Sequence, residues 1–345
     1  MGAKAMRTTT RHIGRSVSTV GATVVITMLL VISAVQDAAA VACGTTITSC
    51  GCTLSFSGTY TFSGNLSALS GTCIDITASN VVLQGFADIT GPGSTSATIG
   101  IHIEPSANRV LLNNVTVESF GTGVRIDGPN AAVVDLLTRG NNRGLLVDGV
   151  HAYVLDQSSK SDVAVGIQIN ATATDFVMDG AQVEYESGAG IKLNGVGGAF
   201  LEDTVASYNG TFGIWLESAS NNHLDGFIAE GNQVAGIYLG CNPTGPNGTA
   251  CAFGVPSSAS NTLDGSVYGD RASLVNGATG IGFLQAFGIA VGRGNLHNRF
   301  LGITGAGNSY TDALDENPDC GSNRWFLNSF TASIPTTNTT FFCLN

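Results

Sequence analysis

The feature that most constrains this chain is a recurring Gly-aliphatic-x-aliphatic tetrad. It reads Gly100-Ile101-His102-Ile103, Gly123-Val124-Arg125-Ile126, Gly144-Leu145-Leu146-Val147 and Gly166-Ile167-Gln168-Ile169. It continues as Gly190-Ile191-Lys192-Leu193, Gly213-Ile214-Trp215-Leu216 and Gly236-Ile237-Tyr238-Leu239. The steps are 23, 21, 22, 24, 23 and 23 residues, and a last copy, Gly288-Ile289-Ala290-Val291, follows after 52. So steady a period marks a repeat architecture. Short apolar runs ending at Asn113, Asp135, Asp156, Asp179, Asp203, Asp225 and Asp264 keep phase with it, and turns such as Asp127-Gly128 and Asn194-Gly195 separate the runs.

Each repeat thus holds two or three short strands, and one repeat cannot bury its apolar positions alone. Stacked coils pair those strands in parallel and join the positions into one core. The expected fold is all-β: a right-handed parallel β-helix of roughly ten coils with disulfide-rich end caps. In each tetrad the aliphatics point inward and x points outward. Leucine-rich repeats need a Leu/Asn framework that is absent here. Only 11 % charged residues and as many as 46 glycines suit tight-turned β structure better than a helical enzyme.

Residues 1–40 stand apart. Lys4, Arg7, Arg11 and Arg15 precede an uncharged apolar stretch and Ala38-Ala39-Ala40. This is the pattern of a signal peptide for export to a periplasmic, cell-surface or secreted location, with a membrane anchor as the alternative. The β-helix domain is then 41–345, with an N-terminal cap at about 43–78, a loop excursion at about 240–260 and a C-terminal cap at about 317–345. An irregular coil is expected near Gly280-Ile281 to fill the 52-residue step. From Val41 onward, 10 basic residues face 24 acidic ones. Such a surface repels nucleic acid and attracts cations. The eight cysteines suggest disulfides, with Cys241–Cys251 and Cys320–Cys343 expected. The pairing among Cys43, Cys50, Cys52 and Cys73 is open.

The tetrads, the opening Cys43-Gly44-Thr45-Thr46-Ile47, the run from Cys73 to Leu83 and the ending Asn317-Pro318-Asp319-Cys320-Gly321-Ser322-Asn323-Arg324-Trp325 resemble the exported bacterial parallel β-helix repeat proteins of the pectate-lyase-like superfamily. The resemblance covers about 43–345 and implies the fold and an association with glycans. Its catalytic signatures are not found: there is no Asp-Pro-His-Asp of alginate epimerases, no Asn-Thr-Asp, Asp-Asp and Gly-His-Gly set of polygalacturonases, and no Arg-x-Pro-x-x-Arg of pectate lyases.

A solenoid turns each repeat position into a surface column. The x positions stack as His102, Arg125, Leu146, Gln168, Lys192, Trp215 and Tyr238, flanked two residues on by Glu104, Asp127, Asp148, Asn170, Asn194 and Glu217. Aromatic faces stack on sugar rings, carboxylates and amides take hydroxyls, and Arg125 and Lys192 suit uronate carboxylates. His102, Arg125, Gln168, Lys192, Trp215, Tyr238 and Glu217 are therefore the glycan-binding candidates. The alternative for the carboxylates is turn chemistry. Calcium is the candidate cofactor, at Asp127 and Asp148 or in a ladder of Asp135, Asp156 and Asp179. Lys192, Arg125, Asp127 and Asp148 are the catalytic candidates, for a polysaccharide lyase or C5-epimerase before a hydrolase. The leading expectation is a β-helix that binds or processes an extended polysaccharide or cell-envelope glycan. Its competitor is a non-catalytic envelope, structural or adhesin-like protein.

Overall fold

The computed structural model describes residues 41–240, 258–264, 273–275, 287–292, 294–306, 308, 311–317 and 322–330. Twelve strands, from Val41–Ala42 to Thr311–Asp315, stack into one parallel sheet, sheet A. Within it Ile101 pairs with Val124, Val124 with Leu145, Leu145 with Ile167 and Ile167 with Ile191, so each tetrad lies over the next. The chain forms an all-β parallel solenoid, as the period requires.

Two further parallel runs complete each coil. One leads from Thr46–Ile47 through Val81–Gln84 to Arg324–Phe326, the other from Leu66–Ser67 through Asp88–Thr90 to Ser329–Phe330. They merge where Leu111–Glu118 and Ala132–Arg139 pass through both without a break. Asn114, Asp135, Asp156 and Asp203 turn that corner with φ of 64°, 50°, 50° and 46°. Short Asn and Asp side chains tolerate this left-handed conformation better than other non-glycine residues.

The alternation sorts side chains as expected. Ile101, Ile103, Val124, Ile126, Ile191 and Leu193 are fully buried, and each contributes about 1.5–3 kcal/mol of hydrophobic burial. The tetrad glycine has a separate cause. A Cβ at Gly213 would lie 2.6 Å from the carbonyl oxygen of Gly236 and 2.7 Å from Asn232 Nδ2; one at Gly190 would lie 2.6 Å from Asn209 Nδ2. Glycine makes room for a polar ladder inside the coil.

That ladder was not expected from the sequence. Asn141, Asp162, Glu186, Asn209 and Asn232 are all buried, one per coil. The backbone N–H of Phe120 donates to Asn141 Oδ1 at 2.9 Å, that of Asn141 to Asp162 Oδ1 at 2.6 Å, and that of Asp162 to Glu186 Oε2. Glu186 N–H donates to Asn209 Oδ1 at 3.0 Å and Asn209 N–H to Asn232 Oδ1 at 2.9 Å. A second ladder, Asn222, Asn261, Asn298 and Asn323, serves the later coils. Burial disfavours the charged forms of the two acids. It raises Asp162 to about 6 against hydrogen bonds from Ser159 and Asn141, and it raises Glu186 to about 9 with help from the neighbouring Asp162 charge.

Several expectations need correction or closer placement. Tyr238 pairs directly with Ala290, so the two tetrads on either side of the 52-residue step are neighbours in sheet A with no strand of that sheet between them. Residues 276–286 and most of the excursion, 241–257, lie outside the described residues. The segment 43–78 is built of coils that extend the sheets: Cys52 pairs with Ile74 and Thr46 with Thr61. Cys43 bonds Cys52 and Cys50 bonds Cys73. Cys241, Cys251, Cys320 and Cys343, residues 1–40, where a signal peptide is expected, and most of 317–345 lie outside the described residues.

Candidate functional site

Sheet A carries the candidate strip on its outer face. Pairing places Asp75, His102, Arg125, Leu146, Gln168, Lys192, Trp215, Tyr238 and Ala290 in one column. Asp75 belongs to it because Cys73-Ile74-Asp75-Ile76 is a tetrad that lacks the glycine. The Gly-aliphatic-x-aliphatic pattern does not include it.

At the N-terminal end His102 sits among carboxylates. Its Nε2 lies 2.9 Å from Asp127 Oδ2, and its Nδ1 lies 3.0 Å from Glu104 Oε1 and 3.3 Å from Asp75 Oδ1. Arg125 Nε donates to both oxygens of Asp127, at 2.9 and 3.0 Å. Burial pulls the His102 pKa down, but hydrogen bonds to Asp75 and Asp127 and the charges of Glu104 and Asp127 outweigh it, so the net shift is upward. Glu104 is raised by desolvation first and by the Asp75 and Asp127 charges, against His102. Arg125 is raised chiefly by its bond to Asp127.

The middle of the strip is an amide network. Asn170 Nδ2 donates to Asp148 Oδ1 at 2.9 Å, Gln168 Nε2 to Asn170 Oδ1 at 2.8 Å, and Asn194 Nδ2 to Asn170 Oδ1 at 3.1 Å. Arg143 Nε donates to Gln168 Oε1 at 3.2 Å. Arg143 and Arg125 both line a cleft of about 360 Å³ walled by Ser94, Ser96 and Thr98. Arg143 was missed because it precedes the tetrad glycine, outside the x column.

The C-terminal end is more closed than the sequence suggests. Trp215 is only 8 % exposed, and its Nε1 donates to the carbonyl of Gly240 at 2.9 Å. Phe212 stacks on Tyr238 at 4.7 Å between centroids, and with Ala189, Ala235 and Ala290 these rings form a small apolar cluster on the outer face. Lys192 Nζ lies 4.0 Å over the Trp215 ring and 2.5 Å from Glu217 Oε2. The ammonium is thus occupied by the Glu217 carboxylate and the Trp215 ring. Tyr238 is raised to about 12 by burial, with the Glu316 and Glu217 charges adding to it.

The expected acidic ladder divides into two columns. Asp135 and Asp156 occupy the corner, whereas Asp179 stands one position earlier, paired with Leu155 on one side and Glu202 on the other. Asp135 and Asp156 therefore share the corner column, and Asp179 does not stack on them. Asp127 is engaged by His102 and Arg125, and Asp148 by Asn170 and Thr172. That leaves few oxygens for calcium, which takes six to eight.

Residues 72–307 match the family model described as a right handed beta helix region. The chain belongs to the right-handed β-helix family. No curated protein matches this β-helix by sequence. Among solved structures it is similar to a mutant of the tailspike protein of E. coli bacteriophage HK620 in complex with a pentasaccharide, with TM-score 0.59, 10 % identity and coverage of 83 % of this chain and 60 % of the other. It is also similar to a mutant of the periplasmic alginate epimerase AlgG, with TM-score 0.56, 11 % identity and coverage of 76 % and 62 %. For the Dettilon tailspike protein the values are 0.51, 16 %, 81 % and 61 %. The chain thus spans about three-fifths of the length of each. At such identities the likeness is one of fold.

Proposed function

We propose that this β-helix is an exported protein that binds an extended acidic polysaccharide along the outer face of sheet A. One observation carries the reading: Arg125 and Arg143 converge on a hydroxyl-walled cleft in a chain whose sequence after the leader is strongly acidic. Guanidinium forks match carboxylates in geometry, so uronate residues are the ligand class. The amides and carboxylates from Asp148 to Asn194 offer partners for sugar hydroxyls further along the strip. Two disulfides accord with an oxidising compartment. The similar proteins include an alginate epimerase and a tailspike holding a pentasaccharide.

Any chemistry on such a ligand is of the lyase or C5-epimerase class, with Arg125 and Arg143 neutralising the uronate carboxylate so that the C5 proton becomes acidic. The competing reading is a structural, non-catalytic β-helix. It draws on the closed C-terminal end, where Trp215, Lys192 and Glu217 satisfy one another.

The test is a panel of alginate, polygalacturonate and neutral glucans, followed by calorimetry and by ultraviolet absorbance of unsaturated products. Arg125→Ala and Arg143→Ala are each expected to weaken uronate binding by about 1.5–3 kcal/mol, the worth of a charged hydrogen bond. Binding confined to neutral glucans, or unchanged in both variants, would sink the proposal. Binding without unsaturated product or C5 inversion favours the non-catalytic form.

A further inference from the structure

We propose that Asp75, His102 and Glu104 form a binding site for a first-row divalent transition cation, represented by Zn²⁺, at the N-terminal end of sheet A. One donor atom from each of the three side chains lies within 4.8 Å of the other two. His102 Nδ1 is 3.3 Å from the Asp75 oxygen and 3.0 Å from the Glu104 oxygen. Ligands about 2.1 Å from a shared ion stand about 3.0 Å apart at right angles and about 3.4 Å apart at tetrahedral angles. The two separations fall on those values.

The surroundings of His102 are an independent second observation. A ligating histidine ordinarily gives its other ring N–H to a carboxylate, which fixes the tautomer. His102 Nε2 faces Asp127 Oδ2 at 2.9 Å, and Arg125 clamps that carboxylate. With Nε2 directed at Asp127, Nδ1 faces the Asp75 and Glu104 oxygens, and a divalent cation would be held among the three donors. Asp75 Oδ1 is shut off from solvent and faces His102 Nδ1 at 3.3 Å.

Rigidity and chemistry agree. Asp75 and His102 are direct partners on adjacent strands, and Glu104 follows just past the strand end, tied to the previous coil by its N–H to the Ile76 carbonyl at 3.0 Å, so two of the three ligands rest on packed sheet. One imidazole nitrogen with two carboxylates suits zinc or manganese, whereas calcium takes oxygens alone. Side-chain exposures of 14 %, 29 % and 32 % for His102, Asp75 and Glu104 leave the outer side open for water or a ligand group.

The site does not rest on the glycan reading. Zn²⁺ binding is measured by calorimetry on the purified protein in metal-free buffer, and Co²⁺ by its visible absorption. The expected result is one ion per chain, lost in His102→Gln and weakened about 10–100-fold in Asp127→Asn. His151→Gln, at an exposed histidine paired with Asp175, leaves binding unchanged. Thermal unfolding of each variant separates lost ligands from lost fold. The proposal is overturned if no Zn²⁺ binds, if a folded His102→Gln binds it as well as the parent, or if Ca²⁺ is taken in preference. Glycan binding is assayed separately in EDTA, so each proposal can fail alone.

Discussion

Glu186→Gln tests the buried ladder most directly. Glu186 is 2 % exposed and receives the Asp162 backbone N–H while standing next to the Asp162 carboxyl. Its pKa is raised from 4.5 to about 9, first by desolvation and then by Asp162. The folded protein therefore holds a proton that the unfolded chain has released from about pH 5 to 9. Stability from a raised pKa is complete below the unfolded value and is lost as pH rises through the folded one. Each pH unit in the window then costs about 1.4 kcal/mol, a tenfold change in the folding equilibrium. Asp162, raised to about 6, adds its own loss at the acid end of the window. Glutamine keeps an acceptor for Asp162 N–H and has no proton to lose. Urea midpoints are measured from pH 6 to 9 at constant ionic strength for parent and variant. The parent is expected to fall relative to Glu186→Gln by about 1.4 kcal/mol per unit, so that the variant is the more stable by pH 8. Subtraction removes the slope from His102, whose raised pKa also costs stability as pH rises. Parallel slopes, or a variant less stable at pH 8, would refute the reasoning.

Two further perturbations follow from the packing. Gly213→Ala drives a methyl against the Gly236 and Ala206 carbonyls at 2.6 and 2.7 Å; neither is a flexible tip, and a loss near the upper end of the about 1–3 kcal/mol typical of overpacking is expected in urea unfolding. Cys50→Ser opens the 23-residue disulfide loop to Cys73 and is expected to lower stability by about 3 kcal/mol, with the earliest hydrogen exchange over residues 41–76.

Much of the fold is legible because it repeats. Ile101, Val124 and Leu145 sit at one phase of a steady step, and strand alternation then dictates which neighbours point out, so the column from His102 to Tyr238 follows without coordinates. The asparagine ladders are not legible that way. Asn141, Asn209 and Asn232 are polar residues in turns, and local composition assigns such residues to the surface. Only their place against the N–H groups of the preceding coil makes burial favourable. Asp135 and Asp179 look equivalent because each ends an apolar run, yet a one-residue difference in where the corner falls puts them in separate columns.

The sequence by itself determined the repeat, the inward positions, the stacking order and the acidic surface, because each depends on period and composition. Tertiary structure decided which polar groups meet. The pairing of Asp75 with His102 joined a tetrad without glycine to the strip, the turn carrying Ser94–Thr98 placed a cleft wall beside Arg125 and Arg143, and packing closed Trp215 and Lys192 into each other. Contacts between coils depend on loop lengths and backbone dihedrals, and a one-dimensional pattern does not carry them.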